Sequence, residues 1–169
     1  MSASIMNNRL QPFHVFLFMT VIYAGLIFYF SSLSDLPFLR NHAYFINYLI
    51  GVFDEAGLKF MLAPFYLARV YPDKFLHAVV YFGFGILLYL TFANSKYPVL
   101  VKYPFLLAIV IGTIYGATDE FHQSFVPGRT MSTGDLLADA LGLAASQVFV
   151  LLAFIVLNIS RRFHHEFLS

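Results

Sequence analysis

"YGATDEFHQSFVPGRTMSTGDLLADALG", Tyr115–Gly142, decides the fold. It lies between two long apolar segments. Yet its 28 residues hold Asp119, Glu120, His122, Gln123, Arg129, Asp135 and Asp139, in a chain that is 60% hydrophobic and 11% charged. The stretch divides into a helix end, a turn and a helix start. "PGR" at Pro127–Arg129 is a turn signal. "STGD" at Ser132–Asp135 opens a helix, with Ser132 or Thr133 as N-cap and Asp135 favourable at the positive end of the helix dipole.

Working outward, the composition explains why both flanks are apolar. A soluble domain has about 45–50% apolar and about 25% charged residues. This chain of 169 residues has 21 Phe and 11 Tyr, and a mean hydropathy of +0.75. It reads as an all-α integral membrane helical bundle, a single domain over residues 1–169. The net charge of +1 gives no nucleic-acid footprint. The absence of cysteine excludes disulfides, thiolate metal ligands and a cysteine nucleophile. There is no internal repeat and no low-complexity tract.

Four segments meet the spanning requirement of about 17–25 predominantly apolar residues. They are Phe13–Phe30, Phe75–Phe92, Pro104–Thr118 and Leu136–Ile159. The third is short unless it continues through "DEFHQ". Backbone groups in lipid must be satisfied internally, so helices are expected. The first run is too long for the apolar core of a signal peptide, and only Arg9 charges the region before it, so a retained helix is expected. Residues 31–74 form a long connection with "HAYFINYLIGVF" and "KFMLAPFYLARVY", which read as interfacial or re-entrant helices in residues 36–70, or as amphipathic loop helices. Pro64 is expected to break the second of these.

Four spans put both termini on one side. That side carries Arg9, Lys96, Lys102, Arg161 and Arg162, and the other carries Arg40, Lys59, Arg69, Lys74 and Arg129. The numbers tie, but the second set falls mostly in a long loop, which weighs less. Eight of the nine acids also fall on the second side. Cytoplasmic termini are therefore expected, with the opening stretch facing the exterior.

The polar residues keep helical spacing. Asp73, His77 and Tyr81 recur at i, i+4 and i+8, with Lys74 beside them. Gly112, Gly116, Asp119 and Gln123 form a second stripe, and Asp135, Asp139, Gly142 and Ser146 a third. Small residues permit close helix packing in lipid, and ionisable residues there face the bundle interior or a wet cavity. The three stripes should converge on one polar pocket. Caps and turns account for Ser132, Pro127 and Gly128, and can account for Asp73 and Asp135. They do not account for His77, His122, Glu120 and Asp139 together.

Three chemistries fit such a pocket. His77, Glu120, His122, Asp135 and Asp139 offer imidazole and carboxylate ligands suited to Zn, Mn or Mg, with Asp135 and Asp139 the candidate metal-binding pair. Against a metal, Glu120 and His122 stand two residues apart, off a common helical face, and no "HExxH" occurs. Alternatively, Arg129 and Lys74 hold a phosphate of a lipid-linked substrate, with His77, His122 or Glu120 as catalytic acid or base. "GD" with a second Asp four residues on is similar to the aspartate pair of CDP-alcohol phosphotransferases, whose remaining motif is absent. The third reading is a binding cavity without catalysis, or a scaffold for another membrane protein. No cofactor is specified by the residues.

"FYFSSLSDLP", "DKFLHAVVYFGFGILLY" and "DEFHQSFVPGRTMSTGDLLADALG" together resemble the VanZ-like family of small bacterial membrane proteins. The matching positions are Ser31 and Ser32; Asp73, Lys74 and His77; Asp119, Glu120 and Gln123; Pro127, Gly128 and Arg129; and Asp135. Asp139 departs from the family's usual Asn. A carboxylate only accepts, so Asp139 must be protonated or have a cationic partner, with Arg129 or Lys74 expected. The resemblance implies a multi-pass protein of the bacterial cytoplasmic (inner) membrane, in a family named for resistance to the glycopeptide teicoplanin. The expected ligand-binding set is Asp73, Lys74, His77, Asp119, Glu120, Gln123, Arg129, Asp135 and Asp139. The expected partner is a membrane lipid, a lipid-linked envelope precursor or a lipophilic glycopeptide. In that set Arg129 and Lys74 would hold an anion, oriented by Asp119 and Glu120, while His77 acts as a hydrogen-bonding switch in the pocket wall.

Overall fold

Prolines set the helix starts. Of the chain's seven, Pro12, Pro37, Pro64, Pro72, Pro98 and Pro104 each lie in the first turn of a helix. There the missing N–H would have had no intrahelical acceptor, so proline costs nothing and presets φ. In this computed structural model, residues 11–34, 37–58 and 62–167 are described. They form α1 (Pro12–Ser31), α2 (Pro37–Glu55), α3 (Ala63–Val70), α4 (Pro72–Ala93), α5 (Pro98–Lys102), α6 (Pro104–Gln123) and α7 (Thr133–Phe167), with no strand among them. Pro64 lies in the first turn of α3; residues 59–61 of "KFMLAPFYLARVY" lie outside the described residues. Arg9, Asp35 and Lys59, weighed above for sidedness, lie outside the described residues.

Four helices, α1, α4, α6 and α7, are long and apolar enough to cross a membrane. The protein is an α-helical membrane bundle. The third span does continue through "DEFHQ", to Gln123. Charges did not end it because Asp119, Glu120 and Gln123 are buried by neighbouring helices. The fourth span also exceeds its expected bounds. The 35 residues of α7 extend about 52 Å at about 1.5 Å per residue, against a hydrocarbon core of about 30 Å. Its first turns can therefore stand at headgroup depth.

Helix α4 is the hub. It packs most extensively on α7 and also covers α1 and α6. The core between them is Ile27, Tyr81, Phe84, Leu88, Phe92, Ala108 and Leu143. Glycines bring the helices close. A Cβ on Gly112 would fall 2.5 Å from Leu143, and one on Gly142 would strike the backbone carbonyl of Ala78. Polar groups also join helices inside the span. The Thr20 and Thr91 hydroxyls lie 2.8 Å apart, Tyr23 donates to the Val80 carbonyl, and Gln147 donates to the Gly85 carbonyl. Helices α2 and α3 pack on each other, with Phe53 and Phe65 stacked at 5.1 Å, and α3 rests on α4. At the far end, Lys96 and Lys102 lie over Tyr97 and Tyr103, a pairing suited to a membrane interface.

Candidate functional site

The turn of the opening stretch builds one end of the bundle. Arg129 N–H donates to the Val126 carbonyl at 3.0 Å across Pro127 and Gly128, and Gly128 has φ +82°. That is a type II turn, which takes proline second and glycine third because the third residue needs positive φ. Next, Ser132 caps α7, its Oγ accepting the Asp135 N–H at 3.3 Å. Ser132's own N–H donates to Glu120 Oε2 at 2.7 Å, fastening the turn to α6. So Glu120 holds the loop and does not orient Arg129 or Lys74 directly.

The expected stripes meet here. Asp119, Gln123, Asp135 and Asp139 are all buried, as are His77 and Tyr81 of α4, while Ser146 lies deeper in the span, against Gly85. Lys74 Nζ donates to Asp135 at 2.8 Å, its stem passing over Gly134, where a Cβ would come within 2.9 Å of it. His77 Nδ1 lies 2.9 Å from Asp139 Oδ1. This corrects the expected partner of Asp139. It is His77, because Lys74 is taken by Asp135 and Arg129 turns away. Arg129 donates from Nε to the Leu33 carbonyl at 3.1 Å, and from Nη1 to Gln123 Oε1 at 3.3 Å. Gln123 in turn donates to Asp119 Oδ2 at 3.1 Å. Asp119 thus positions Arg129 through Gln123.

His122 does not join this group. Its ring lies 4.3 Å from that of Phe28, and its Nε2 is 3.0 Å from Ser32 Oγ. It ties the last turn of α6 to the end of α1, as its offset of two residues from Glu120 requires. Ligand atoms do cluster elsewhere. One atom each from His77, Glu120 and Asp139 lie within 4.8 Å of one another, as do atoms of Asp73, His77 and Asp135.

Beside this network, α1, α4 and α6 line a half-open cavity of about 400 Å³. Its apolar wall is Leu26, Ile27, Phe30, Leu76 and Val80. Its polar end is Ser31, Asp73, His77, Asp119, Gln123 and Arg129, with Tyr81 and Tyr23 at the sides. Lys74 is not in the lining. Three residues of this lining carry a buried side-chain atom with no hydrogen-bond partner among the described residues: Ser31 (Oγ), Tyr81 (Oη) and Asp119 (Oδ1). Sequence reasoning placed Tyr81 on a stripe but did not name it as a site residue. It did not assign α1 to the site, although Thr20, Tyr23, Ile27 and Ser31 recur at helical spacing along its inward face. That row and the Ser31–Ser32 pair at its end were the signal.

A family model described as VanZ/LLP1 matches residues 13–156. No curated protein and no solved structure matches the chain.

Proposed function

The chain belongs to the VanZ/LLP1 family, and from that premise we propose that the cavity between α1, α4 and α6 binds an amphiphile. The polar head meets Ser31, Tyr81, Asp119 and Arg129, and the tail lies on Leu26, Ile27 and Val80. The single observation that carries this reading is a cleft with an apolar wall and one polar end, among whose lining Ser31, Tyr81 and Asp119 each hold a buried polar atom without a partner among the described residues. A buried polar atom left without a partner costs about 1–3 kcal/mol. A head that bonds all three recovers that cost, while apolar walls hold the tail. The volume lies within the range of about 300–1,000 Å³ usual for small-molecule sites.

The head is better matched by a neutral or zwitterionic group rich in donors and acceptors than by a bare anion. Arg129 is the one strong cation in the lining, and Asp73 and Asp119 stand beside it. Lys74, already held by Asp135, adds nothing. Envelope lipids and lipophilic glycopeptides such as teicoplanin share this division into hydrogen-bonding head and apolar tail, so the reading extends to a role in the glycopeptide response.

Native mass spectrometry of detergent-purified protein tests the site with two probes, the zwitterionic lipid phosphatidylethanolamine and teicoplanin. Wild type should retain one of them after detergent exchange. Tyr81→Phe should weaken that probe by about two- to tenfold, the value of about 0.5–1.5 kcal/mol for one hydrogen bond. Val80→Phe, which fills the cavity, should abolish retention. Equal retention by all three proteins would contradict the reading, and the probe retained distinguishes lipid from drug.

We place the cavity end of the bundle outside the cytoplasm, following the loop charges. The chain has no cysteine, so Ser124→Cys, at an exposed position, is a clean reporter. A membrane-impermeant maleimide should label it in intact cells. Labelling only after lysis would reverse the orientation.

A further inference from the structure

We propose that His77, Glu120 and Asp139 form a binding site for one divalent transition-metal ion of the Zn²⁺ or Mn²⁺ class. The site does not depend on what fills the neighbouring cavity.

The first observation is geometric. One donor atom from each residue lies within 4.8 Å of the other two. Bonds of about 2.1 Å put adjacent ligands about 3.0–3.4 Å apart and opposite ones about 4.2 Å apart, so side-chain shifts of under about 1 Å would close the triad. The donors come from three turns of three different helices, α4, α6 and α7, held together by the glycine contacts. A Cβ on Gly116 would stand only 2.9 Å from Asp139 Oδ2, so the carboxylate has its place because that residue is glycine.

The second observation is independent and concerns unmet bonding. Asp139 is 0% exposed and Glu120 is 2% exposed. Asp139 Oδ2 and Glu120 Oε1 have no hydrogen-bond partner among the described residues. Glu120 is fixed by its other oxygen, which accepts the Ser132 N–H, while Asp139 Oδ1 faces His77, itself one of the three ligands. Glu120 is thus oriented as metal ligands are, with one atom anchored from outside the site and one free to coordinate.

Charge points in the same direction. Asp73, Asp119, Glu120, Asp135 and Asp139 gather at this end of the bundle, against Lys74, Arg129 and at most one charge on His77. Lys74 neutralises Asp135, and Arg129 is held by Gln123 and Leu33. Neither reaches Glu120 or Asp139. A divalent ion would cancel those two carboxylates where removal from water makes their charges costly. Two carboxylate oxygens and an imidazole nitrogen, without sulfur, suit Zn²⁺ or Mn²⁺.

The test uses full-length, tag-free protein in nanodiscs, stripped with chelator and titrated separately with Zn²⁺ and Mn²⁺. Bound metal is measured by mass spectrometry of the elements, and the melting temperature is followed in parallel. Wild type should take up one ion per chain and melt higher when loaded. Glu120→Gln and Asp139→Asn preserve shape and remove a charged ligand, and each should weaken binding at least about tenfold. Glu120→Asp, which only shortens the ligand arm, gives the same readout if an amide variant fails to fold. Wild type that takes up neither ion, or folded variants that bind as tightly as wild type, would overturn the proposal.

Discussion

We expect His77→Leu to lower the stability of the bundle by about 3–5 kcal/mol, the loss typical when one member of a buried pair is removed and its partner stays. Asp139 is wholly buried, and the bond to His77 Nδ1 is the only hydrogen bond made by its carboxylate among the described residues. Leucine fills the space of the ring but offers nothing to Asp139 Oδ1. The charge cannot reach water, because Gly116, Tyr81 and the wall of α4 close over it. Combining His77→Leu with Asp139→Leu should restore most of the loss, since apolar replacement of both partners removes the uncompensated charge. Thermal melts of the single and double variants in the same detergent measure this. A double variant as unstable as the single one would assign the damage to packing instead of charge.

Gly142→Val should have an effect of similar or greater size for a different reason. A Cβ at Gly142 would run into the Ala78 carbonyl oxygen, with the Ala78 carbonyl carbon at 2.9 Å and Cα at 3.0 Å. These are backbone atoms of α4, so no rotamer change relieves the clash and the two helices must separate. Overpacking of even one or two carbons costs about 1–3 kcal/mol, and more where nothing can give. This contact lies in the most extensive helix pair of the fold, so we expect aggregated or poorly inserted protein, read by size-exclusion chromatography. Gly25→Ala is the control. Nothing lies within 4 Å of a Cβ there, and alanine in mid-helix gains about 0.5–1 kcal/mol over glycine. A Gly142→Val protein that is monodisperse and melts like wild type would mean that α4 and α7 are not packed at this distance.

Much of the site was legible because helical spacing is simple arithmetic. Asp73, His77 and Tyr81, and Asp135, Asp139 and Gly142, each share a stripe once their segments are helices, and the cost of charge in lipid fixes which way that stripe faces. The turn at Pro127–Arg129 was legible from proline and glycine in sequence. Ion pairing was not. Lys74, His77 and Arg129 each had several acids within plausible reach, and the actual choices depend on helix rotation and depth. Lys74 meets Asp135 because Gly134 lets its stem pass, and that is a contact between α4 and α7 that no spacing rule contains. The end of α6 stayed open between Thr118 and Gln123 for a related reason. Asp119 and Glu120 look like a helix leaving lipid, yet they are buried by neighbours far away in sequence. Helix α1 shows a further limit: Thr20, Tyr23 and Ser31 mark its inward face at helical spacing, but a few hydroxyls do not tell a helix contact from a cavity wall.

The proposal that the cavity is an amphiphile site is tested most directly by photocrosslinking. A lipid or lipoglycopeptide carrying a diazirine on its tail is bound to the protein in nanodiscs, irradiated and mapped by peptide mass spectrometry. Label should concentrate on Leu26, Ile27, Leu76 and Val80, be displaced by unlabelled ligand and disappear in Val80→Phe. Label spread over outward residues such as Phe18, Val148 and Leu152, which are exposed on the outer faces of the bundle, and unchanged by Val80→Phe, would show that the cavity holds no such molecule.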